Sequence, residues 1–171
     1  MTTEKKIWLL SIFFIALFAY GLYSAFRPSS YPLRFVRGDV RAISENVIIG
    51  PYPSEEEFRK LKYNLGIDIV VSLMDPDSAI EGGFVRKEKV LAEKYGMPFK
   101  NFPMDFLNLS GQENKRQAER AVAYILSVGD KKLYVHCYLG RHRIKIFEEE
   151  FKKTLPVGKK AEGDIGGFEK N

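Results

Sequence analysis

The stretch "KLYVHCYLGRHRIKIF", Lys132–Phe147, constrains the fold more than any other part of the chain. "KLYVH" has the apolar, β-prone character of a buried strand, and the residues after Arg143, "IKIFEEEFKKTL", have helix-forming composition. A strand that passes through a short glycine-bearing turn into a helix is the repeating unit of α/β folds. In these folds the strands run mainly parallel and ligands bind beyond their carboxyl ends. Cys137, the single cysteine of the 171 residues, stands at such an end. Free cysteines are often small buried hydrophobes, and one alone excludes an intramolecular disulfide.

The rest of the chain alternates in the same way. "NVIIG" (Asn46–Gly50) reads as a short strand. In "PYPSEEEFRKLKYNLG", Ser54 with Glu57 three residues on forms a capping box, followed by Phe58, Leu61 and Leu65 at helical spacing. "IDIVVSL" (Ile67–Leu73) is the continuous apolar run of a strand buried on both faces, and "MDPDSAIEGG" is a loop. The pattern predicts a helix over Phe84–Tyr95, a strand in "MPFKNFP" (Met97–Pro103) and a helix over Gln112–Val128. The expected architecture is a mainly parallel central sheet flanked by helices.

The amino-terminal end has a different character. From Ile7 to Phe26, "IWLLSIFFIALFAYGLYSAF", there is no charge. At about 1.5 Å per residue this run is long enough to cross a hydrocarbon core of roughly 30 Å. We read it as a transmembrane helix. The competing reading is a cleaved secretory signal, with Lys5 and Lys6 as its basic region and Ala19-x-Gly21 as its cleavage site, but the apolar run continues past that site. The expected organisation is a short tail (1–6), a membrane helix (7–26), a Pro-, Ser- and Arg-rich linker (27–45), a catalytic-type domain (46–155) and a polar, Gly-rich flexible tail (156–171). Arg27, Arg34, Arg37 and Arg41 after the span outnumber Lys5 and Lys6 before it, which places the domain on the cytoplasmic side.

The net charge of +5 suits anionic headgroups or phosphorylated substrates. No basic run is interleaved with aromatics in the manner of a nucleic-acid module, so no nucleic-acid partner is expected. With one cysteine and two histidines confined to a single segment, zinc-ligand spacing is absent, and no G-x-S-x-G elbow marks a serine hydrolase.

The chemistry concentrates in "HCYLGRHR". Backbone N–H groups in a tight turn entering a helix form an anion cradle, and the same positive end favours the thiolate of a cysteine placed there. Gly140 lets the loop curl. Arg143 offers a planar fork that holds two phosphoryl oxygens. His136, Cys137, Gly140 and Arg143 together resemble the HCxxGxxR signature of the cysteine-based protein tyrosine phosphatases. The helix opened by "PSEEEF", the strand "IDIVVSL" and the loop "NFPMDF" are similar to the compact dual-specificity members of that superfamily. The resemblance covers roughly 46–155.

The resemblance implies a phosphatase that forms a cysteinyl-phosphate without a cofactor. Cys137 is then the nucleophile and Arg143 the phosphate ligand, while Tyr138, Leu139, Gly140, Arg141 and His142 present backbone N–H groups. Asp105, in "PMDFLNLSG", is the general acid on a loop, with Asp75 and Asp77 as substitutes. His136 is implied to support the cysteine loop through hydrogen bonds and is counted with Tyr138 to His142 among the substrate-binding residues. Arg141 occupies a place that is basic in the lipid-directed branch of the superfamily, which adds a phospholipid or phosphoinositide headgroup to phosphorylated proteins as a possible substrate. The chain departs from the family at Ile144, where these phosphatases carry a Ser or Thr hydroxyl that eases thiolate departure. That leaves a third alternative, a slow or inactive phosphate-binding module held at the membrane.

Overall fold

The structure, a computed structural model, describes residues 3–25 and 37–154. The flexible tail expected at 156–171 and the first part of the expected linker lie outside the described residues. The chain divides into two units between Val36 and Arg37.

In the first unit a single helix, α1 (Thr3–Ala25), is apolar on every face, and its described side chains from Trp8 to Tyr23 are exposed. Among the described residues no helix is long and apolar enough to cross a membrane. Of the expected membrane span, residues Ile7 to Ala25 are helical.

The second unit is a five-stranded sheet with helices on both faces. Its elements in chain order are β1 (Arg41–Ala42), β2 (Val47–Pro51), α2 (Glu55–Tyr63), β3 (Ile69–Ser72), α3 (Gly82–Lys94), β4 (Phe99–Asn101), α4 (Gln112–Ser127), β5 (Leu133–Cys137) and α5 (His142–Lys152). The strand order is β1-β2-β5-β3-β4. The last four strands are mutually parallel, whereas β1 pairs antiparallel with β2, so the sheet is mixed where a mainly parallel one was expected. The physical reason is the link between β1 and β2. Ile43 N–H reaches Val47 C=O at 2.9 Å across a tight reversal, which antiparallel pairing permits, while parallel pairing needs a long crossover. Within the linker expected at 27–45, the residues from Arg37 onward belong to this unit. Arg41 also forks onto Glu148 of α5, at 3.1 and 2.5 Å.

Strand periodicity sorts the core. Along β5, Leu133, Val135 and Cys137 face one side, with Ala118, Ala121, Val122 and Ile125 of α4 and Ile144, Phe147 and Phe151 of α5. Tyr134 faces the other side, with Phe58 and Leu61 of α2 and Leu91 and Ala92 of α3. The charged helix α5 is therefore amphipathic, its apolar residues recurring at helical spacing on the sheet. Each fully buried Phe or Leu contributes about 1.5–3 kcal/mol of transfer free energy. The capping box of α2 forms as read: Ser54 Oγ accepts Glu57 N–H at 3.3 Å, and Ser54 N–H donates to Glu57 Oε2 at 2.6 Å. Because β2, β5, β3 and β4 are parallel, the loops following them gather at one end of the sheet.

Candidate active site

Cys137 ends β5, the strand between β2 and β3, and its side chain is buried on the α4/α5 face. The loop after it is held open by its carbonyls. Tyr52 N–H donates to Tyr138 C=O at 3.2 Å, Gly38 N–H to Leu139 C=O at 2.7 Å and Lys145 N–H to Arg141 C=O at 2.8 Å. Among the described residues, the N–H groups of Tyr138 to Arg143 meet no protein acceptor. A turn with its carbonyls tied outward and its N–H groups unpaired at a helix start is an anion cradle.

Gly140 is required there on two counts. Its φ of +68° lies in the left-handed region, and a Cβ would fall 2.5 Å from Pro51 N and 2.6 Å from Gly50 C. The loop consequently lies against the end of β2, backbone on backbone.

Arg143, in the first turn of α5, is buried, and its fork is already oriented. Nη1 donates to Glu81 Oε2 at 2.7 Å, Nη2 to Glu81 Oε1 at 2.5 Å, and Nη1 also approaches Met104 C=O at 3.1 Å and Leu73 C=O at 3.3 Å. A guanidinium has five N–H donors. Glu81 and the two carbonyls occupy the Nη1 side and one Nη2 proton, and the guanidinium also lies within hydrogen-bond reach of Cys137. Burial opposes the charge on Arg143, but the hydrogen bonds and charge of Glu81, with Cys137 beside it, outweigh this and hold the guanidinium above its ordinary value. It is charged at every working pH.

Asp105 lies in the loop between β4 and α4. That loop is fixed by buried Asn114, whose Oδ1 accepts Asp105 N–H at 2.7 Å and whose Nδ2 donates to Asp105 C=O at 2.8 Å and Asn108 C=O at 3.1 Å. The preceding residue, Met104, touches Arg143 through its carbonyl. The Asp105 carboxylate itself is exposed and accepts Leu107 N–H at 2.7 Å, the turn-capping bond of a loop aspartate. The loop is thus placed at the site's rim, with the carboxylate turned to its own backbone. Asp75 donates its N–H to Glu81 and caps Asp77 N–H.

The remaining residues of the motif divide by face. Arg141 and His142 are exposed at the mouth of the loop. Leu139 is half-buried. Tyr138 turns its ring toward Phe84 and Tyr52, with centroids at 5.3 and 6.5 Å, so only its backbone belongs to the cradle. His136 points to the face opposite Cys137. It is completely buried, pairs through Nε2 with Glu88 of α3 and stacks on Tyr134. Its side chain is therefore away from the expected substrate-binding position, because successive strand residues point to opposite faces. Burial raises the phenol pKa values of Tyr52 and Tyr138, with Glu88 adding to the shift of Tyr52, so both hydroxyls stay protonated.

Sequence reasoning identified Cys137, Gly140 and Arg143, which the fold brings together. It missed Glu81, Glu88 and Asn114. Glu81 lay in a segment read only as a loop, and a carboxylate before a Gly pair carries no local mark of its partner. Among the described residues no cluster of three or more His, Cys, Asp or Glu side chains is arranged to hold a metal ion.

No protein-family model matches the sequence, and none of the curated proteins does. Solved structures do match. A candidate phosphatase (DUF442) from Shewanella putrefaciens CN-32 superposes with a TM-score of 0.54 at 22% identity, over 70% of this chain and 73% of that one. A second structure of a candidate phosphatase (DUF442) from the same organism gives 0.53 at 18% identity, over 75% of this chain and 78% of that one. The catalytic core of Siw14, a protein of S. cerevisiae, gives 0.53 at 12% identity, over 68% of this chain and 66% of that one. At these identities the likeness shows the fold, and the α/β architecture of this chain is the one these structures share.

Proposed function

We propose that the chain is a cysteine-dependent phosphomonoesterase held at a membrane. The observation that carries this reading is the loop Tyr138–Arg143, whose N–H groups, unpaired among the described residues, and oriented Arg143 fork lie at the end of the strand bearing Cys137. This arrangement supports binding of a tetrahedral dianion over a sulfur nucleophile. The Cys137 thiolate attacks phosphorus in line, the ester oxygen departs, and Asp105 protonates it. For this step the Asp105 side chain rotates off Leu107 N–H, a rearrangement that exposed loops make readily. Water, deprotonated by Asp105, then attacks the phosphocysteine and releases phosphate and thiolate. The architecture shared with candidate phosphatase structures is consistent with this chemistry.

Arg141 and His142, exposed at the mouth, favour a substrate with more than one anionic group, whether on a phosphorylated protein or a lipid headgroup. The charge-free run Ile7–Phe26, helical from Ile7 to Ala25 within α1, supports a single membrane span with the domain on the cytoplasmic side. The test is hydrolysis of p-nitrophenyl phosphate by the full chain in detergent, without added metal, with acid quenching and mass spectrometry for a phosphoryl adduct on Cys137. Metal-independent turnover with the adduct is expected. A folded chain that neither turns over nor forms the adduct overturns the enzymatic reading.

Ile144 favours a specific rate profile within the same reading. It is buried in the α4/α5 core beside Cys137, so no hydroxyl at this position assists the departing thiolate. The second step should limit turnover, giving a burst of p-nitrophenol followed by slow release. Ile144→Thr keeps the branched shape and supplies the hydroxyl. It is expected to raise the steady-state rate and shrink the burst, while costing about 1–3 kcal/mol of stability for the buried polar group. A burst of unchanged size in a folded Ile144→Thr chain would remove Ile144 as the cause.

A further inference from the structure

The residues just before β1 do more than join two parts of the chain. Gly38 N–H donates to Leu139 C=O at 2.7 Å, a direct tie to the outer side of the phosphate loop. Space around Gly38 is closed: a Cβ there would fall 2.4 Å from Gly140 O and 3.1 Å from Gly140 C, and 3.4 Å from Arg141 Cγ. Gly38 does not have a positive φ, so this lack of room, and not backbone conformation, is what demands glycine. On the opposite side Gly140 meets Gly50 and Pro51 at the end of β2. The loop is thereby clamped between two backbones, one from β2 and one from the segment preceding β1.

The neighbouring residue secures this segment. Arg37 Nη2 donates to Tyr52 C=O at 2.7 Å and to Glu57 Oε2 at 3.1 Å. Glu57 is the carboxylate that closes the capping box of α2, and Tyr52 N–H holds Tyr138 C=O. Two of the three carbonyl ties that turn the loop inside out therefore run through one unit made of Arg37, Gly38 and Tyr52.

We propose that Arg37 and Gly38 are positioning residues for the phosphate loop. They form a strap that keeps the Leu139 and Tyr138 carbonyls outside, so that the N–H groups from Tyr138 to Arg143 converge on one anion. The inference rests on the proposed phosphate-binding role of that loop. It assigns a catalytic consequence to a segment whose composition reads as a linker. Donors in such a cradle act only when aligned, and small misplacements of a binding frame are costly to affinity and rate.

The experiment compares wild type, Gly38→Ala and Gly83→Ala as full chains in detergent. It measures inorganic phosphate affinity by titration calorimetry, kcat and KM for p-nitrophenyl phosphate, and the thermal midpoint. Gly83 lies on the exposed side of α3 with nothing within 4 Å of a Cβ, so its alanine variant controls for the substitution itself. Gly38→Ala is expected to weaken phosphate binding and kcat/KM by about tenfold or more at temperatures where it is fully folded. Gly83→Ala should match wild type in phosphate affinity and kcat/KM, with a midpoint unchanged or slightly raised because alanine is the better helix former. A merely structural role would lower the midpoint and leave phosphate affinity unchanged below it. If Gly38→Ala does not fold, Arg37→Ala loosens the same strap without intruding on Gly140, and it should weaken phosphate binding in the same direction. A folded strap variant whose affinity stays within about twofold of wild type overturns the strap alone. A wild-type chain that neither binds phosphate nor hydrolyses the ester overturns the phosphate reading of the loop and the strap with it.

Discussion

Cys137→Ser is expected to lower phosphate-ester hydrolysis by about 10³-fold or more while phosphate binding persists. The two properties reside in different atoms. In the proposed mechanism binding belongs to the loop N–H groups and to the Arg143 fork, which keeps its Glu81 partner after the substitution. Turnover belongs to the sulfur, a far better nucleophile toward phosphorus than a hydroxyl, and among the described residues a serine hydroxyl in the same place has no adjacent base to deprotonate it. His136 is the residue one would look to for that base, and it sits on the opposite face of the sheet, paired with Glu88. Cys137 is 2% exposed in an apolar cluster, so the serine hydroxyl will cost about 1–3 kcal/mol of stability. The checks are p-nitrophenyl phosphate turnover and phosphate titration on the same preparation, below the unfolding transition. Turnover by the serine variant within about tenfold of wild type would show that sulfur is not the nucleophile.

Glu81→Ala should damage stability and activity together. Glu81 and Arg143 each have side chains 5% exposed and share a two-point ion pair. Removing one member of a buried pair leaves the other charge uncompensated, at about 3–5 kcal/mol. It also frees a fork that Glu81 now aims, so kcat/KM should fall by about 10²-fold if the arginine shifts by even an ångström. Glu81→Gln keeps one acceptor and should lose less of both. Because a phosphate dianion supplies the missing negative charge, saturating phosphate should raise the melting midpoint of Glu81→Ala more than that of wild type. Equal shifts in both proteins would mean that Arg143 does not face the bound anion.

How much of this was legible beforehand depended on range. The β5-turn-α5 unit, the capping box at Ser54 and Glu57, and the buried strand "IDIVVSL" were readable because each signal lies within a few residues: apolar periodicity, a cap, a turn glycine. The same locality explains the antiparallel β1. With two residues and no apolar pattern, it is a strand only because β2 lies beside it. His136 was placed in the substrate site by its neighbours in the motif, yet strand alternation sends its side chain to the other layer. Asp105 was found by its loop, but the bond it makes in this structure is the ordinary aspartate turn.

By itself the sequence determined the α/β class, the identity of the cysteine loop and the presence of an uncharged amino-terminal segment. These follow from short-range chemistry, in which a strand, a glycine turn and a helix start must be adjacent in the chain to form one unit. Tertiary structure alone decided which buried groups serve that unit. Arg143 meets Glu81 across 62 residues, His136 meets Glu88 across 48, and Gly38 meets Leu139 from the far end of the domain. Those partners are chosen by the strand order β1-β2-β5-β3-β4 and by the face on which each helix packs. Buried charges and backbone groups must find partners wherever the sheet order places them, and no local pattern records that choice.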